Sequence, residues 1–228
     1  MKWRGLEEAA AATQTKTLAE QLRDRRELAE RYTPPDVVAL YQRAIDELRA
    51  SGILDHTLKA GDRAPEFSLP DENEKAITSA ALLKRGPLVI CFFRGRWCPY
   101  DVTQLEAMNQ FLPQIQAAGA SLVAISPQKA QQAFFMHDQH KLRFSLLCDG
   151  GNQVARRFGL VYRVPEFQQQ VYQRSFVNLP FANGDNSWEL PAPATYVIGR
   201  DGVIRFTRVD VDYRERPEPT EILNAVRS

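Results

Sequence analysis

One cysteine of this chain stands where its thiol can become chemically reactive. Cys98 follows an apolar segment, residues 87–94, and directly precedes a helical pattern that begins at Pro99. A thiol at a helix N-terminus faces unpaired backbone N–H groups and the positive end of the helix dipole, and both favour the thiolate. Arg94 and Arg96 add positive charge on the same turn. We therefore expect Cys98 to be a nucleophile, because the thiolate is the reactive form of cysteine.

The two other cysteines have different surroundings in the sequence. Cys91 lies inside the apolar segment and is predicted to be an inert core residue. Cys148 ends a predicted strand, where binding crevices form in parallel sheets, so it is either structural or a resolving thiol that reacts after Cys98. Three cysteines are too few for a disulfide scaffold, and the odd number leaves at least one thiol unpaired within the chain. This usage indicates a reducing compartment.

Other polar clusters offer weaker chemistry. His137 and His140 lie three residues apart on a predicted helix, but no carboxylate or cysteine cluster completes a metal site, so no bound metal is expected. Asp210 and Asp212 alternate along a predicted strand and are expected on its solvated face. No glycine-rich phosphate loop follows a strand, and no cofactor is expected.

Composition excludes several classes of function. The 228 residues carry 29 Lys and Arg against 28 Asp and Glu, a net charge of +1 with both signs interspersed, so no nucleic-acid partner is expected. The longest apolar run, residues 87–93, is far shorter than the roughly 20 residues of a membrane-spanning helix. The N-terminus shows no signal-peptide core. These features predict a cytoplasmic protein without a membrane partner.

The N-terminal part of the chain is predicted to be a helical arm over residues 1–57. Its apolar residues repeat at helical spacing, and the break at Thr33 and Pro34 is expected to cap a second helix, with Pro34 as its first residue. The arm is predicted to serve packing or dimerisation, so a homodimer is expected. A regulatory or partner-binding role is the alternative.

The remainder, residues 58–228, alternates short apolar strands with helices. This alternation predicts an α/β sheet with parallel crossovers, and an Asp-Gly pair within residues 199–202 predicts a closing antiparallel hairpin. Residues 161–191 are rich in glutamine, asparagine and aromatic residues and do not follow the alternation. We expect them to be an insertion packed over the sheet, not another strand and helix pair.

Five stretches of the chain, taken in order, resemble a known family. Phe93-Arg94-Gly95-Arg96-Trp97-Cys98-Pro99-Tyr100 resembles the active-site turn of the thioredoxin-like superfamily, and in particular of the peroxiredoxin-like proteins of the AhpC/TSA (redoxin) group. The other four stretches are residues 61–67, 123–127, 146–149 and 193–202. The resemblance covers about residues 58–228. It implies a thioredoxin-like fold, with a central mixed sheet flanked by helices, carrying an N-terminal helical extension.

The chain also departs from this resemblance. Thioredoxin relatives carry a second cysteine where this chain has Asp101, and typical peroxiredoxins carry a proline and a threonine where it has Cys91 and Gly95. Asp101 either raises the pKa of Cys98 or accepts a proton or hydrogen bond. Pro193 stands where a distant peroxiredoxin arginine would be sought, and it resembles the cis-proline that faces the cysteine in thioredoxins.

The resemblance implies a thiol-dependent peroxidase with a single catalytic cysteine. Cys98 would attack a hydroperoxide, become a sulfenic acid and be restored by an external thiol such as thioredoxin or glutathione. Arg94 or Arg96 would supply positive charge. One alternative is a monothiol thiol–disulfide oxidoreductase, and another is a non-catalytic interaction protein that uses residues 161–191 as its surface. The expected pocket comprises Arg94, Arg96, Trp97, Pro99, Tyr100, Asp101 and Pro193.

Overall fold

The computed structural model describes residues 16–228, and within them the arm contains two α-helices and a short 3-10 helix, Ile53–His56. The two α-helices are α1 (Leu18–Tyr32) and α2 (Pro35–Ala50). Pro34 is the N-cap and Pro35 the first residue of α2, so the predicted start is wrong by one residue. The residue before a proline is held out of the helical region, and that restriction makes Pro34 extended, with φ −54° and ψ 140°. The first fifteen residues of the predicted arm lie outside the described part of the chain.

A five-stranded mixed sheet forms the centre of the molecule. Its strand order is β5-β4-β3-β8-β9; β3, β4 and β5 are parallel, and β8 pairs antiparallel with both β3 and β9. The predicted closing hairpin is therefore confirmed. The strands are β3 (Leu88–Phe92), β4 (Ser121–Ser126), β5 (Leu146–Cys148), β8 (Ala194–Ile198) and β9 (Ile204–Val209).

Strand β3 is buried on both faces, as its continuous apolar sequence predicts. Alternate residues of the strand face opposite layers: Val89 and Cys91 lie in one core cluster, whereas Ile90 and Phe92 lie in the other. A small hairpin of β1 (Ser68–Pro70) and β2 (Ala76–Thr78) precedes the sheet. The accompanying helices are α3 (Ser79–Arg85), α4 (Pro99–Ala117), α5 (Ala130–Gln139), α6 (Gln153–Arg157) and α9 (Pro219–Arg227).

Residues 161–191 form a small unit with its own regular structure. Antiparallel strands β6 (Val161–Arg163) and β7 (Glu189–Pro191) enclose helices α7 (Glu166–Arg174) and α8 (Leu179–Asn183). The two strands pair only with each other and add no strand to the five-stranded sheet, so the stretch has regular structure of its own outside the central alternation. Its apolar residues close a separate core cluster around Tyr172, which gives the short elements something to pack against.

Candidate active site

The thiol of Cys98 lies at the start of α4, as predicted. Cys98 is the N-cap residue of the helix, and Pro99 is its first residue. The turn that follows β3 is closed by a hydrogen bond from the Cys98 backbone N–H to the carbonyl of Gly95 at 3.0 Å. Cys98 has 0% exposed surface. A small molecule therefore reaches the sulfur only when a neighbouring side chain moves.

Arg94 is the cation in contact with this thiol. Its Nη2 donates to the Sγ of Cys98 at 2.9 Å, and its Nη1 donates to the Tyr172 hydroxyl at 3.2 Å. The guanidinium lies 3.8 Å from the ring centroid of Tyr213 and 5.0 Å from that of Trp97. Aromatic faces stabilise a desolvated cation, so this buried arginine keeps its charge beside the sulfur.

Arg96, the other arginine of the turn, does not contact the thiol. It is exposed, and its Nε donates to the Oε1 of Gln132 on α5 at 2.7 Å. Of the two arginines predicted as alternative sources of positive charge at Cys98, only Arg94 contacts the thiol. A guanidinium that stays hydrated at the surface avoids the desolvation cost that Arg94 bears.

Burial has the largest effect on the pKa of Cys98. Loss of hydration raises the pKa of this thiol, the Arg94 cation lowers it, and the Asp101 carboxylate raises it again. Together these effects place the pKa of Cys98 above the ordinary value of a cysteine thiol. The position at the helix N-terminus was expected to favour the thiolate, but the complete burial of the sulfur outweighs that effect.

We expect the reactivity of Cys98 to keep rising with pH beyond the range in which a free cysteine levels off. Below its pKa a thiol gains thiolate about tenfold per pH unit, and a free cysteine stops gaining near pH 8.5. The raised pKa of Cys98 moves that plateau upward. Iodoacetamide labelling of the Cys98 peptide between pH 6.5 and 10, followed by mass spectrometry, measures the slope. The guanidinium-unfolded protein is the control, and a plateau near pH 8 in the folded protein would contradict the expectation.

Asp101 supports the turn that carries Arg94. Its Oδ2 accepts the backbone N–H groups of Arg94 at 2.9 Å and Gly95 at 3.1 Å, and its Oδ1 pairs with Nη2 of Arg216 at 2.6 Å. The Asp101 side chain is 0% exposed and the Arg216 side chain is 2% exposed. Both alternatives for Asp101 therefore hold, because the carboxylate raises the pKa of Cys98 and also accepts hydrogen bonds.

Sequence reasoning missed Arg216. It lies in a run of charged residues that has the composition of an exposed loop, and it is 115 positions from Asp101. Its Nε donates to Oε1 of Gln104 at 2.7 Å, and Nε2 of Gln104 donates to the Thr195 hydroxyl at 3.2 Å. A buried polar chain therefore connects the active-site helix to strand β8. Nothing in the local sequence of Arg216 signals this contact.

Pro193 and Cys148 differ from what the sequence suggested. No peptide bond within residues 16–228 is cis, so the resemblance of Pro193 to a cis-proline is wrong, and the trans bond is the usual state even before proline. Cys148 ends β5, which β4 separates from β3. Burial, together with the carboxylates of Glu72 and Asp71, raises the pKa of Cys148 to about 12. Cys148 and Cys98 belong to different core clusters.

The weaker candidates also have specific partners. His140 contacts Glu106 at 2.9 Å, whereas His137 lies 3.6 Å from Glu72, so the two histidines do not share one site. Within residues 16–228 no group of three or more His, Cys, Asp or Glu side chains is arranged to hold a metal ion. Asp212 lies beyond the end of β9 and pairs with Arg214 at 2.7 Å, which corrects its prediction as a solvated strand residue.

A cavity of about 200 Å³ lies beside the thiol. Residues next to Cys98 in sequence, Trp97, Pro99 and Tyr100, line it together with Arg94. The other walls come from the arm, from residues 161–191 and from the segment after β9. Those walls comprise Arg26, Ala29, Glu30, Thr33, Val38, Tyr41, Tyr172, Val177, Tyr213 and Arg214.

The arm is part of this site. Leu18 and Leu22 of α1 are buried in one cluster with Cys98 and Tyr100. The carboxylate of Glu218 accepts the N–H of Leu18 at 3.2 Å and that of Ala19 at 2.7 Å, which anchors the first turn of α1. The arm, predicted to serve packing or dimerisation, contributes wall residues to the cavity and packs in one cluster with Cys98. No helix among residues 16–228 is long and apolar enough to cross a membrane.

The fold and the site together define a thioredoxin-fold thiol protein. The family model described as the AhpC/TSA family matches residues 60–207. The chain belongs to the AhpC/TSA family, as the resemblance predicted.

Individual members of the family are only distantly similar to this chain in sequence. The chain is 28% identical over 146 residues to the chloroplastic peroxiredoxin Q of Oryza sativa subsp. japonica, a match that covers 64% of this chain and 57% of that protein. It is 30% identical over 103 residues to peroxiredoxin Bcp of Escherichia coli (strain K12), covering 45% of this chain and 65% of the relative. The matches thus span less than two thirds of these curated relatives.

A solved structure confirms the fold. The crystal structure of peroxidoxin BcpB from Mycobacterium tuberculosis aligns with a TM-score of 0.59 at 20% identity, covering 75% of this chain and 97% of that one. At this identity the likeness is one of fold. It confirms the predicted central mixed sheet flanked by helices.

Proposed function

We propose that this protein is a thiol peroxidase that reduces hydroperoxides at Cys98. The observation that carries the proposal is the contact of 2.9 Å between the Arg94 guanidinium and the Cys98 sulfur at the N-terminus of α4. Membership of the AhpC/TSA family supports it. A guanidinium stabilises both a thiolate and a departing oxygen anion, so Arg94 can stabilise the two negative charges that arise in the reaction.

The reaction we propose is balanced without a cofactor. The sulfur of Cys98 attacks the terminal oxygen of the hydroperoxide, the S–O bond forms and the O–O bond breaks. The other oxygen leaves as an alcohol, or as water from hydrogen peroxide, and takes up the proton released by the thiol. Cys98 is oxidised to a sulfenic acid, and the peroxide is reduced.

The sulfenic acid is then reduced by an external thiol, such as thioredoxin or glutathione. The thiol attacks the sulfenic sulfur, water leaves and a mixed disulfide forms; a second thiol then attacks the external sulfur of this mixed disulfide, forms a disulfide with the first thiol and releases Cys98 as the free thiol. A resolving cysteine within the chain is less well supported. Asp101 occupies the position of the second cysteine of thioredoxins, and Cys148, the resolving candidate, lies in a different core cluster.

The two alternatives differ in what the thiol must contact. The complete burial of the reduced Cys98 favours a small peroxide over a bulky protein disulfide as the first partner of the thiol. The proposed mechanism requires the site to open later, in the sulfenic acid form, so that a thiol such as thioredoxin reaches the sulfur. The trans bond at Pro193 removes one similarity to thioredoxins that favoured exchange. A non-catalytic interaction role does not explain why Arg94 is buried against the Cys98 thiol. Cytoplasmic location and a homodimer remain part of the proposal.

Replacing Cys98 by serine is expected to abolish oxidation by hydroperoxide. The reduced wild-type protein, treated with about one equivalent of hydrogen peroxide, should form a sulfenic acid at Cys98. Dimedone traps this sulfenic acid, and the adduct is detected in the intact mass of the protein. Cys148→Ser is the matched control and should be oxidised like the wild type. A Cys98 thiol that stays unmodified for minutes would overturn the proposed function. A disulfide between Cys98 and Cys148 would replace the single-cysteine mechanism with an intramolecular one.

A further inference from the structure

The guanidinium of Arg94 is held between the Cys98 sulfur and a hydroxyl from residues 161–191. Its Nη2 donates to the sulfur at 2.9 Å, and its Nη1 donates to the hydroxyl of Tyr172 at 3.2 Å. Arg94 is 2% exposed, so little water reaches the cation. The direction in which this buried guanidinium points therefore depends on the acceptor that Tyr172 provides.

Tyr172 is itself fixed by the unit to which it belongs. Gln168, one turn earlier on α7, donates its Nε2 to the same hydroxyl at 3.2 Å. The ring of Tyr172 lies 5.2 Å from that of Trp97 and 6.3 Å from that of Tyr41. Strands β6 and β7 pair at the two ends of the unit. A buried hydroxyl held by packing and by a second donor is a preorganised acceptor.

The acceptor is a neutral group. Burial raises the pKa of the Tyr172 phenol, the Arg94 cation lowers it, and the pKa stays well above its ordinary value. Within residues 16–228 the Arg94 guanidinium forms no ion pair, because the Asp101 carboxylate binds the backbone N–H of Arg94 and pairs with Arg216. A carboxylate on the guanidinium would neutralise the charge needed at the sulfur, whereas a neutral phenol leaves that charge available.

We propose that Tyr172 is a positioning residue for the reaction at Cys98, whose hydroxyl holds the Arg94 guanidinium against the sulfur without neutralising the cation. Residues 161–191 are thereby part of the active site. Tyr162 on β6 is a second phenol near this cation: burial raises the pKa of Tyr162, and Arg94 lowers it. The inference rests on the proposed function for its effect on peroxide, but the placement of Arg94 can be tested without peroxide.

The first test replaces Tyr172 by phenylalanine, which keeps the ring and removes the acceptor. The second-order rate constant for oxidation of Cys98 by hydrogen peroxide should fall about tenfold, because a hydrogen bond to a charged group is lost. Tyr196→Phe is the matched control, at another fully buried tyrosine in a core cluster that does not include Cys98. Its rate should stay within about twofold of the wild type. A Tyr172→Phe rate within that range, or an equal loss in both variants, would overturn the proposal.

The second test repeats the substitution in the Arg94→Gln protein. A residue that acts through Arg94 loses its effect once Arg94 is gone, whereas a general structural defect persists. We therefore expect Tyr172→Phe to change the rate of the Arg94→Gln protein by less than about twofold. A further tenfold loss would show that Tyr172 acts independently of Arg94 and would overturn the proposal.

The third test uses no peroxide. Iodoacetamide labelling of the Cys98 peptide at about pH 7.5 should be about threefold slower in Tyr172→Phe, since a poorly placed cation raises the pKa of the thiol and lowers the thiolate fraction. Equal labelling rates in Tyr172→Phe and the wild type would overturn the positioning role. Slower labelling in a protein that hydrogen peroxide does not oxidise would instead overturn the proposed peroxidase and leave the role of Tyr172 standing.

Discussion

Replacing Arg94 by glutamine is expected to slow the oxidation of Cys98 by hydroperoxide about a hundredfold. Arg94 donates to the sulfur at 2.9 Å and lowers the pKa of the thiol against the effect of burial. Its removal leaves the thiolate without its contacting cation and the departing oxygen without a donor. Loss of one such preorganised donor typically costs a factor of about 10²–10³ in rate. Stopped-flow measurement of the second-order rate constant at several pH values tests this expectation.

The pH series separates two contributions of Arg94. If the arginine acted only through the pKa of Cys98, the rate of the Arg94→Gln protein would recover at high pH, where the thiol is ionised in both proteins. A deficit that persists at high pH reports the stabilisation of the leaving oxygen. Arg94→Lys should recover part of the rate, because lysine restores the charge without the forked geometry.

Arg96→Gln is the matched control for this experiment. It makes the same change two positions away, at an exposed residue that bonds Gln132 and not the thiol. We expect its rate to stay within about twofold of the wild type, as is usual for exposed charges. Equal losses in the Arg94→Gln and Arg96→Gln proteins would contradict the assignment of Arg94 as the contacting cation.

Replacing Asp101 by asparagine is expected to reduce the free energy of unfolding by about 3 kcal/mol. The substitution leaves the Arg216 guanidinium buried without its carboxylate, and breaking a buried ion pair from one side typically costs about 3–5 kcal/mol. Asparagine can still accept the N–H groups of Arg94 and Gly95 through its carbonyl oxygen, which favours the lower end of that range. Urea denaturation measures the change.

Asp138→Asn is the control for stability. It removes one charge from the exposed pair of Asp138 with Lys141, and we expect a change below about 1 kcal/mol. A loss as small as this for Asp101→Asn would show that the buried pair does not stabilise the fold.

A double substitution distinguishes stability from positioning. Asp101→Leu with Arg216→Met removes both charges and is expected to regain much of the stability, because apolar replacements of buried pairs are often neutral. The N–H groups of Arg94 and Gly95 would still lack their acceptor. If Asp101 positions Arg94, oxidation of Cys98 stays slow in this folded variant; full recovery of the rate would refute that role.

Local sequence signals are sufficient to predict the central sheet and the position of Cys98. The continuous apolar run of β3, the proline that starts α4 and the Asp-Gly turn between β8 and β9 are local signals, and each specifies one element without help from distant residues. Alternation of strands and helices then leaves few ways to build the sheet. Cys98 was found at the start of α4 because this position depends only on the strand before it and the helix after it.

The surroundings of the Cys98 thiol, in contrast, depend on contacts between distant parts of the chain. Leu18 and Leu22 of the arm are buried in one cluster with Cys98, and the partner of Asp101 is an arginine 115 residues away. The folded structure also distinguishes Arg94 from Arg96. The two arginines are alike in the sequence, but only Arg94 is buried against the thiol. Desolvation and ion pairing depend on groups brought together by folding from distant parts of the chain, and local periodicity carries no record of such contacts.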